Sequence, residues 1–219
     1  FFCKKENEEY SVKVAEDMFF NRKWVDSIWF NIDHLKVKRR GRYKYSDVNF
    51  NLMQRVLEKK MNQPINEDLE NNFYKSLNLR RTAYRPLEKF KSKYIIPTEK
   101  DERWRGQLLR GYVHDESASL LGGVAGNAGL FSNANDLGIM FQMMLNGGTY
   151  GEQKYLKPKT IEQFTTAKYG NHLGLGFVVK GRRGSNSLSS SASKKTFGHT
   201  GFSGTCVWVD PENELIFIF

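Results

Sequence analysis

The C-terminal run most restricts what this chain can fold into. Phe197-Gly198-His199-Thr200-Gly201-Phe202-Ser203-Gly204-Thr205 leads into Cys206-Val207-Trp208-Val209, then Asp210-Pro211-Glu212-Asn213 and Leu215-Ile216-Phe217-Ile218-Phe219. Asp and Pro suit the first two positions of a type I turn, so the run reads as two antiparallel strands with a short connection. The last strand is apolar at every position, as expected of a strand covered on both faces. Gly198, Gly201 and Gly204 clear side chains from one edge of the first strand, where another backbone or a ligand can approach closely.

A chain of 219 residues suffices for one sizeable domain or two small lobes. Its 39% hydrophobic and 14% aromatic content fits a packed globular protein. No run approaches the roughly 18 apolar residues of a membrane span. Nor is a signal peptide visible, since Phe1-Phe2-Cys3 is followed at once by Lys4 and Lys5. Cys3 and Cys206 stand far from any metal-ligand spacing, and nothing supports a disulfide between them. His34, His114 and His172 read as structural, so neither a metal nor a cofactor is expected. The net charge of +10 is spread along the sequence apart from Lys36-Val37-Lys38-Arg39-Arg40-Gly41-Arg42. It reads as a solvated, mildly basic surface, with no nucleic-acid partner expected.

Along the chain, Val12, Ala15, Met18 and Phe19 fall at helical spacing and predict a first amphipathic helix over residues 9–21. Ser46 is a good N-cap for a helix bearing Val48, Leu52, Met53, Val56 and Leu57, which runs to about Lys59. That places Tyr45 just outside a helix N-terminus, where positive partial charge favours an anionic oxygen. Residues 66–76 predict a further helix. Residues 80–119 show little periodicity, and so long a stretch without elements is expected to be functional or to wrap another element. Asn133 with Asp136 three residues on is a helix-start signature. Leu137, Met140, Phe141, Met144 and Leu145 then form one apolar face, so the methionines are core, and Gly147 supplies the stop. Glycines at 122–129 predict a tight loop, and no Gly-Lys-Ser/Thr follows to make it a nucleotide site. Residues 160–167 predict a short helix, 173–179 a strand, and 182–195 a polar loop.

Two triplets carry chemistry. His199-Thr200-Gly201 on the strand edge resembles the Lys-Thr-Gly of penicillin-binding proteins and serine β-lactamases. Tyr45-Ser46-Asp47 resembles their Tyr-Ser-Asn, with Asp47 keeping an acceptor, losing the amide donors and adding a charge. Ala128-Gly129-Leu130-Phe131-Ser132, Asp136-Leu137 and Asn146-Gly147-Gly148 look like the family's glycine-rich turn and helix. Ile96-Pro97-Thr98-Glu99 and the stretch from Val113-His114-Asp115-Glu116 through Gly148 are similar to the β-lactamase-like domain fused to bacterial β-N-acetylglucosaminidases. The resemblance implies an α+β fold of the β-lactamase/transpeptidase type. A mostly helical lobe at 1–165 would carry the Tyr-Ser-Asp triplet, and part of an antiparallel sheet at 166–219 the His-Thr-Gly triplet.

The resemblance further implies that a serine of a Ser-x-x-Lys motif attacks a carbonyl and forms an acyl-enzyme. Tyr45 would be its general base, with a pKa lowered by neighbouring cations and His199 as electrostatic partner. Asp47, Thr200 and Gly201 would line the substrate, and the Phe202 N–H would donate to the oxyanion hole. The nucleophile should lie upstream of Tyr45, yet the chain's one Ser-x-x-Lys is Ser191-Ala192-Ser193-Lys194, in the wrong order. The expectation is therefore a fragment, incomplete at both ends and inactive alone. Its partners would be a small-molecule or peptide substrate, the missing N-terminal segment of the same protein, a fused glycosidase domain, and further copies of itself through an open sheet edge. The parent would act on an amide, peptide or ester in cell-wall metabolism, outside the bacterial cytoplasm. A non-catalytic wall-binding or interaction module of the same fold is the alternative.

Overall fold

The computed structural model describes residues 1–36, 43–167, 172–180 and 188–219. The basic cluster beyond Lys36 and the start of the 182–195 loop lie outside them. The described residues form two compact units, Phe1–Asn72 with Thr82–Phe131 and Phe73–Arg81 with Ser132–Phe219.

In the first unit, strands β1 (Phe2–Cys3), β2 (Val12–Ala15) and β3 (Met18–Phe20) form an antiparallel sheet in the order β1-β3-β2. This corrects the helix expected at 9–21. Ala15 pairs with Met18 across Glu16-Asp17, and Asp17 sits at φ 47°, the left-handed turn conformation that Asp tolerates. Val12 and Val14 are β-branched and favour a strand, and a bulge between Lys13 and Ala15 mimics helical spacing of the apolar residues.

Helices α1 (Lys23–Asp33) and α2 (Val48–Met61) follow, then α3 (Ile65–Leu69), which passes into a π-helical turn at Glu70–Tyr74. Strand β4 (Ala83–Tyr84) pairs with β7 (Leu130–Phe131), β5 (Pro97–Asp101) pairs with β6 (Gln107–Arg110), and α4 spans Glu116–Leu120. The stretch expected to lack elements therefore contains a hairpin. Polar contacts build it, which is why hydrophobic period did not reveal it. Asp101 Oδ1 accepts the N–H groups of Arg103 and Trp104, and Asp101 Oδ2 pairs with buried Arg105 at 2.6 Å. Arg105 Nη1 donates to the Val113 carbonyl at 2.7 Å, tying the hairpin to the segment that starts α4. Val113, Ala118 and Ala125 make a small core beneath it.

In the second unit, β8 (Thr149–Tyr150) and β9 (Gln153–Lys154) form a hairpin after α5 (Ala134–Leu145), and α6 spans Pro158–Thr165. The main sheet runs β10 (Val178–Val179), β11 (Phe197–Thr200), β12 (Cys206–Asp210) and β13 (Leu215–Ile218), antiparallel throughout. The start signature at α5 holds, since Asn133 Oδ1 accepts the Asp136 N–H at 2.8 Å and Gly147 ends the helix at φ 70°. Phe141, Met144 and Leu145 pack on Val179, Phe197 and Val209, with Val207 and Ile216, so α5 covers one face of the sheet. The β12–β13 connection is fixed by Asp210, which accepts N–H groups of Ser193, Glu212 and Asn213 and the Asn213 side-chain amide. Burial would raise this carboxyl, but those donors outweigh it and hold Asp210 far below the usual carboxylate range.

Strand β13 ends the sheet among the described residues. Cys206 and Phe219 exchange both backbone bonds, at 2.8 and 2.9 Å. The antiparallel alternation then turns the N–H and C=O of Ile216 and Ile218 towards the open edge. One face of β13 is covered and the other is not, so Leu215, Phe217 and Phe219 are exposed beside the expected open edge.

Candidate functional site

Tyr45 and Asp47 stand in the first unit. Helix α2 begins at Val48, so the N-cap is Asp47, not the expected Ser46, and Asp47 makes no side-chain capping bond. Its carbonyl instead accepts the Phe50 and Asn51 N–H groups at 3.0 and 3.2 Å. Its carboxylate is therefore not committed to the helix and acts on Tyr45. Partial burial, then the charge of Asp47, then Tyr43, an Asp47 hydrogen bond and Asp115 all push the Tyr45 hydroxyl above the usual tyrosine value. This is opposite to the expected lowering, with burial the largest cause and the Asp47 carboxylate the next. The ring is 61% exposed.

Asp115 is a group that sequence reasoning did not connect to Tyr45. It caps α4, accepting the Ala118 N–H and the Ser117 hydroxyl, both at 2.7 Å. Burial would raise it, but these bonds, one from Asn127 and the charge of His114 hold it below the usual carboxylate range. Asp-x-x at the start of a helix was the available signal; that it would reach Tyr45 was not.

A second unforeseen residue is Gln54, buried on α2. Its Oε1 accepts the Gly126 N–H at 2.8 Å, and its Nε2 donates to the Val124 carbonyl at 3.2 Å and to Glu58 at 3.0 Å. Glu58 in turn accepts the Ile65 N–H, fixing the start of α3. A Cβ at Gly126 would collide with the Phe50 carbonyl, so glycine is needed there for the loop to lie against α2. This clamp orients the helix from whose N-terminal end Tyr45 projects.

His199, Thr200, Gly201 and Phe202 stand in the second unit, at the exposed end of β11 and the turn to β12. The Gly201 N–H donates to the Thr205 carbonyl at 2.7 Å, closing the turn, and Phe202 is exposed at its tip. A Cβ at Gly198 would collide with Val207 and Trp208 of β12, so that glycine serves strand approach, not a ligand. His199 Nδ1 lies 2.7 Å from the Thr200 carbonyl. A carbonyl only accepts, so Nδ1 carries the proton of this bond and Nε2 takes no part in it.

Of the residues expected to be structural, His114 is half-buried, and burial holds its imidazole below the usual histidine value. Cys3 and Cys206 are both free thiols. Among the described residues no group of His, Cys, Asp and Glu could hold a metal ion, and no helix is long and apolar enough to cross a membrane.

A sequence model of the family described as Beta-lactamase matches residues 15–219. An Escherichia coli (strain K12) protein described as "Putative D-alanyl-D-alanine carboxypeptidase" is 36% identical over 192 residues, covering 81% of this chain and 44% of its own length. A Salmonella gallinarum protein of the same description is 35% identical over 219 residues, covering 94% of this chain and 51% of its own. The chain thus spans about half the length of the curated relatives it matches. Among solved structures, the octameric penicillin-binding protein homologue of Pyrococcus abyssi superposes with a TM-score of 0.61 at 18% identity, over 87% of this chain and 42% of that one. A penicillin-binding protein homologue of Caulobacter crescentus gives 0.59 at 14% identity, over 86% and 57%. At such identities the likeness is one of fold, the mixed helices and antiparallel sheet described above.

Proposed function

Because the chain belongs to the β-lactamase family, we propose that it is the C-terminal part of a serine hydrolase that cleaves an amide, peptide or ester through an acyl-enzyme. The relatives' description points to a peptide ending in D-alanyl-D-alanine, and so to cell-wall metabolism outside the cytoplasm. The single observation that carries this reading is the pair of triplets, each at the end of its element: Tyr45-Ser46-Asp47 at the start of α2 and His199-Thr200-Gly201 at the open end of β11.

In this reading the serine and lysine of a Ser-x-x-Lys motif come from the remainder of the parent. The serine oxygen bonds to the acyl carbon as its proton passes to Tyr45, which hands it to the leaving group; water then releases the acyl group. The incoming lysine would place a cation beside Tyr45 and offset Asp47 and Asp115. His199 supports Tyr45 electrostatically, Asp47, Thr200 and Gly201 line the substrate, and the Phe202 N–H donates to the developing oxyanion. Asp47 in place of Asn favours a substrate that presents an N–H to this position, since a carboxylate only accepts. A fused glycosidase domain in the parent fits the resemblance of residues 96–99 and 113–148.

The test is D-alanine release from a peptide ending in D-alanyl-D-alanine by the parent protein. Tyr45→Phe is expected to lower kcat/KM about 100-fold or more, the size of a lost general base. Unchanged turnover would remove Tyr45 from the chemistry. A parent that binds cell-wall fragments without turnover would favour the non-catalytic module.

A further inference from the structure

Lys180 follows β10 and turns its ammonium into the Ser-rich loop. Its Nζ donates to the Ser190 carbonyl at 2.8 Å, to the Ser189 carbonyl at 3.2 Å and to the Ala192 carbonyl. A lysine ammonium has three N–H donors and no acceptor, so three carbonyls saturate it. The loop supplies them by curling on itself. The Ala192 N–H donates to the Ser189 carbonyl and the Ser191 N–H to the Ser189 hydroxyl, both at 3.2 Å. Three carbonyl oxygens aimed at one point repel one another, and a cation between them offsets that repulsion. The far end of the same loop takes the opposite charge, where the Ser193 N–H donates to the Asp210 carboxylate at 2.8 Å. The loop then rejoins β10, since the Lys180 N–H donates to the Thr196 carbonyl at 2.9 Å. Strand β11 starts at the next residue, Phe197, and its last residue paired with β10 is Gly198, opposite Val178. His199 and Thr200 run past that pair, so on this side their placement follows from where the loop sets the start of β11.

We infer that the Ser189, Ser190 and Ala192 carbonyls form a cage for a monovalent cation of the ammonium type, filled by the chain's own Lys180, and that Lys180 is thereby a positioning residue for the His199–Thr200 edge. The cation class follows from the donors. Neutral carbonyls without a carboxylate suit a single charge, and three of them at one point match the three N–H bonds of an ammonium. Arginine does not replace it, because its planar fork sends its donors out in one plane. The second clause rests on the proposed hydrolase reading; the cage itself does not.

The experiment uses the parent protein with Lys180→Ala, which removes the ammonium and leaves room for a soluble one. Subtilisin cleavage between residues 188 and 193, mapped by mass, reads the loop. The variant should be cut about 10- to 100-fold faster than wild type, the scale of losing hydrogen bonds to a charged group in a segment that opens locally. Propylammonium chloride should restore most of the protection. Tetramethylammonium chloride at the same ionic strength, which carries the charge without an N–H donor, should not. Equal cleavage of wild type and variant would overturn the cage, and so would equal effects of the two salts. Lys180→Arg keeps the charge and decides the matter if Lys180→Ala does not fold: it should be cut faster than wild type, and wild-type protection would overturn the cage. For the second clause, Lys180→Ala should lower kcat/KM for D-alanine release by up to about 100-fold, the scale of a misplaced contact edge, chiefly through KM and with recovery in propylammonium. Rescue of the loop with unchanged D-alanine release would uphold the cage and remove the positioning role. A wild-type parent that releases no D-alanine would remove the hydrolase reading and the second clause with it, the cage then standing or falling on the cleavage rates.

Discussion

Gln54→Met tests whether the clamp on α2 holds the first unit together. Methionine matches glutamine in length and flexibility, so the change removes hydrogen bonds with little change of volume. Two backbone groups lose their partner, the Gly126 N–H at 2.8 Å and the Val124 carbonyl at 3.2 Å. Glu58 keeps the Ile65 N–H and is not stranded. Leaving a buried donor or acceptor unmade costs about 1–3 kcal/mol each. Burying the thioether in place of an amide returns about 1 kcal/mol, so the net loss is about 1–5 kcal/mol. Urea unfolding followed by tryptophan fluorescence reads it, through Trp24, Trp29 and Trp104 of the first unit. Gln54→Glu should be worse than Gln54→Met, because it strands the Val124 carbonyl and sets a second carboxylate beside Glu58. A loss below about 0.5 kcal/mol, the scale of an ordinary surface substitution, would refute the clamp.

Asp210 has a depressed folded pKa, so its stabilisation is present above the usual aspartate value and is lost as pH falls towards the folded value. Asp210→Asn should therefore lower the urea midpoint at pH 7 and flatten its fall in acid, and an unchanged acid slope would contradict this. The Tyr45 hydroxyl lies above the usual tyrosine value, so the wild-type minus Tyr45→Phe difference spectrum should reach half phenolate only above about pH 10, and Asp47→Asn should move that midpoint to lower pH. The open edge and exposed Phe217 of β13 should make the isolated polypeptide self-associate and bind a hydrophobic dye, both reduced by Phe217→Lys. A monomer by sedimentation that binds no dye would contradict that.

The parts of the fold legible in the sequence are those whose signals are local. Asn133 with Asp136, Gly147, and Asp210-Pro211 each act within three or four residues, and α5 and the β12–β13 hairpin form where they place them. Helix α2 and its apolar residues were legible, but not which side they face. That depends on Gln54 meeting Gly126, 72 positions away. The hairpin at β2 and β3 was hidden by a bulge that shifts alternation towards helical spacing. The β5–β6 hairpin was hidden because Asp101 and Arg105, not apolar period, organise it. At the candidate site the triplets could be read directly. The sign of the Tyr45 shift could not, since it rests first on burial and then on Asp47, whose carboxylate the fold leaves off the helix cap.

The most direct test of the central claim is covalent capture. The polypeptide alone and the parent are each incubated with a fluorescent penicillin and examined by intact mass. The account predicts no adduct on the polypeptide, and one stoichiometric adduct on the parent that is lost in Tyr45→Phe. A stoichiometric adduct on any serine of the polypeptide alone, Ser191 included, would contradict it.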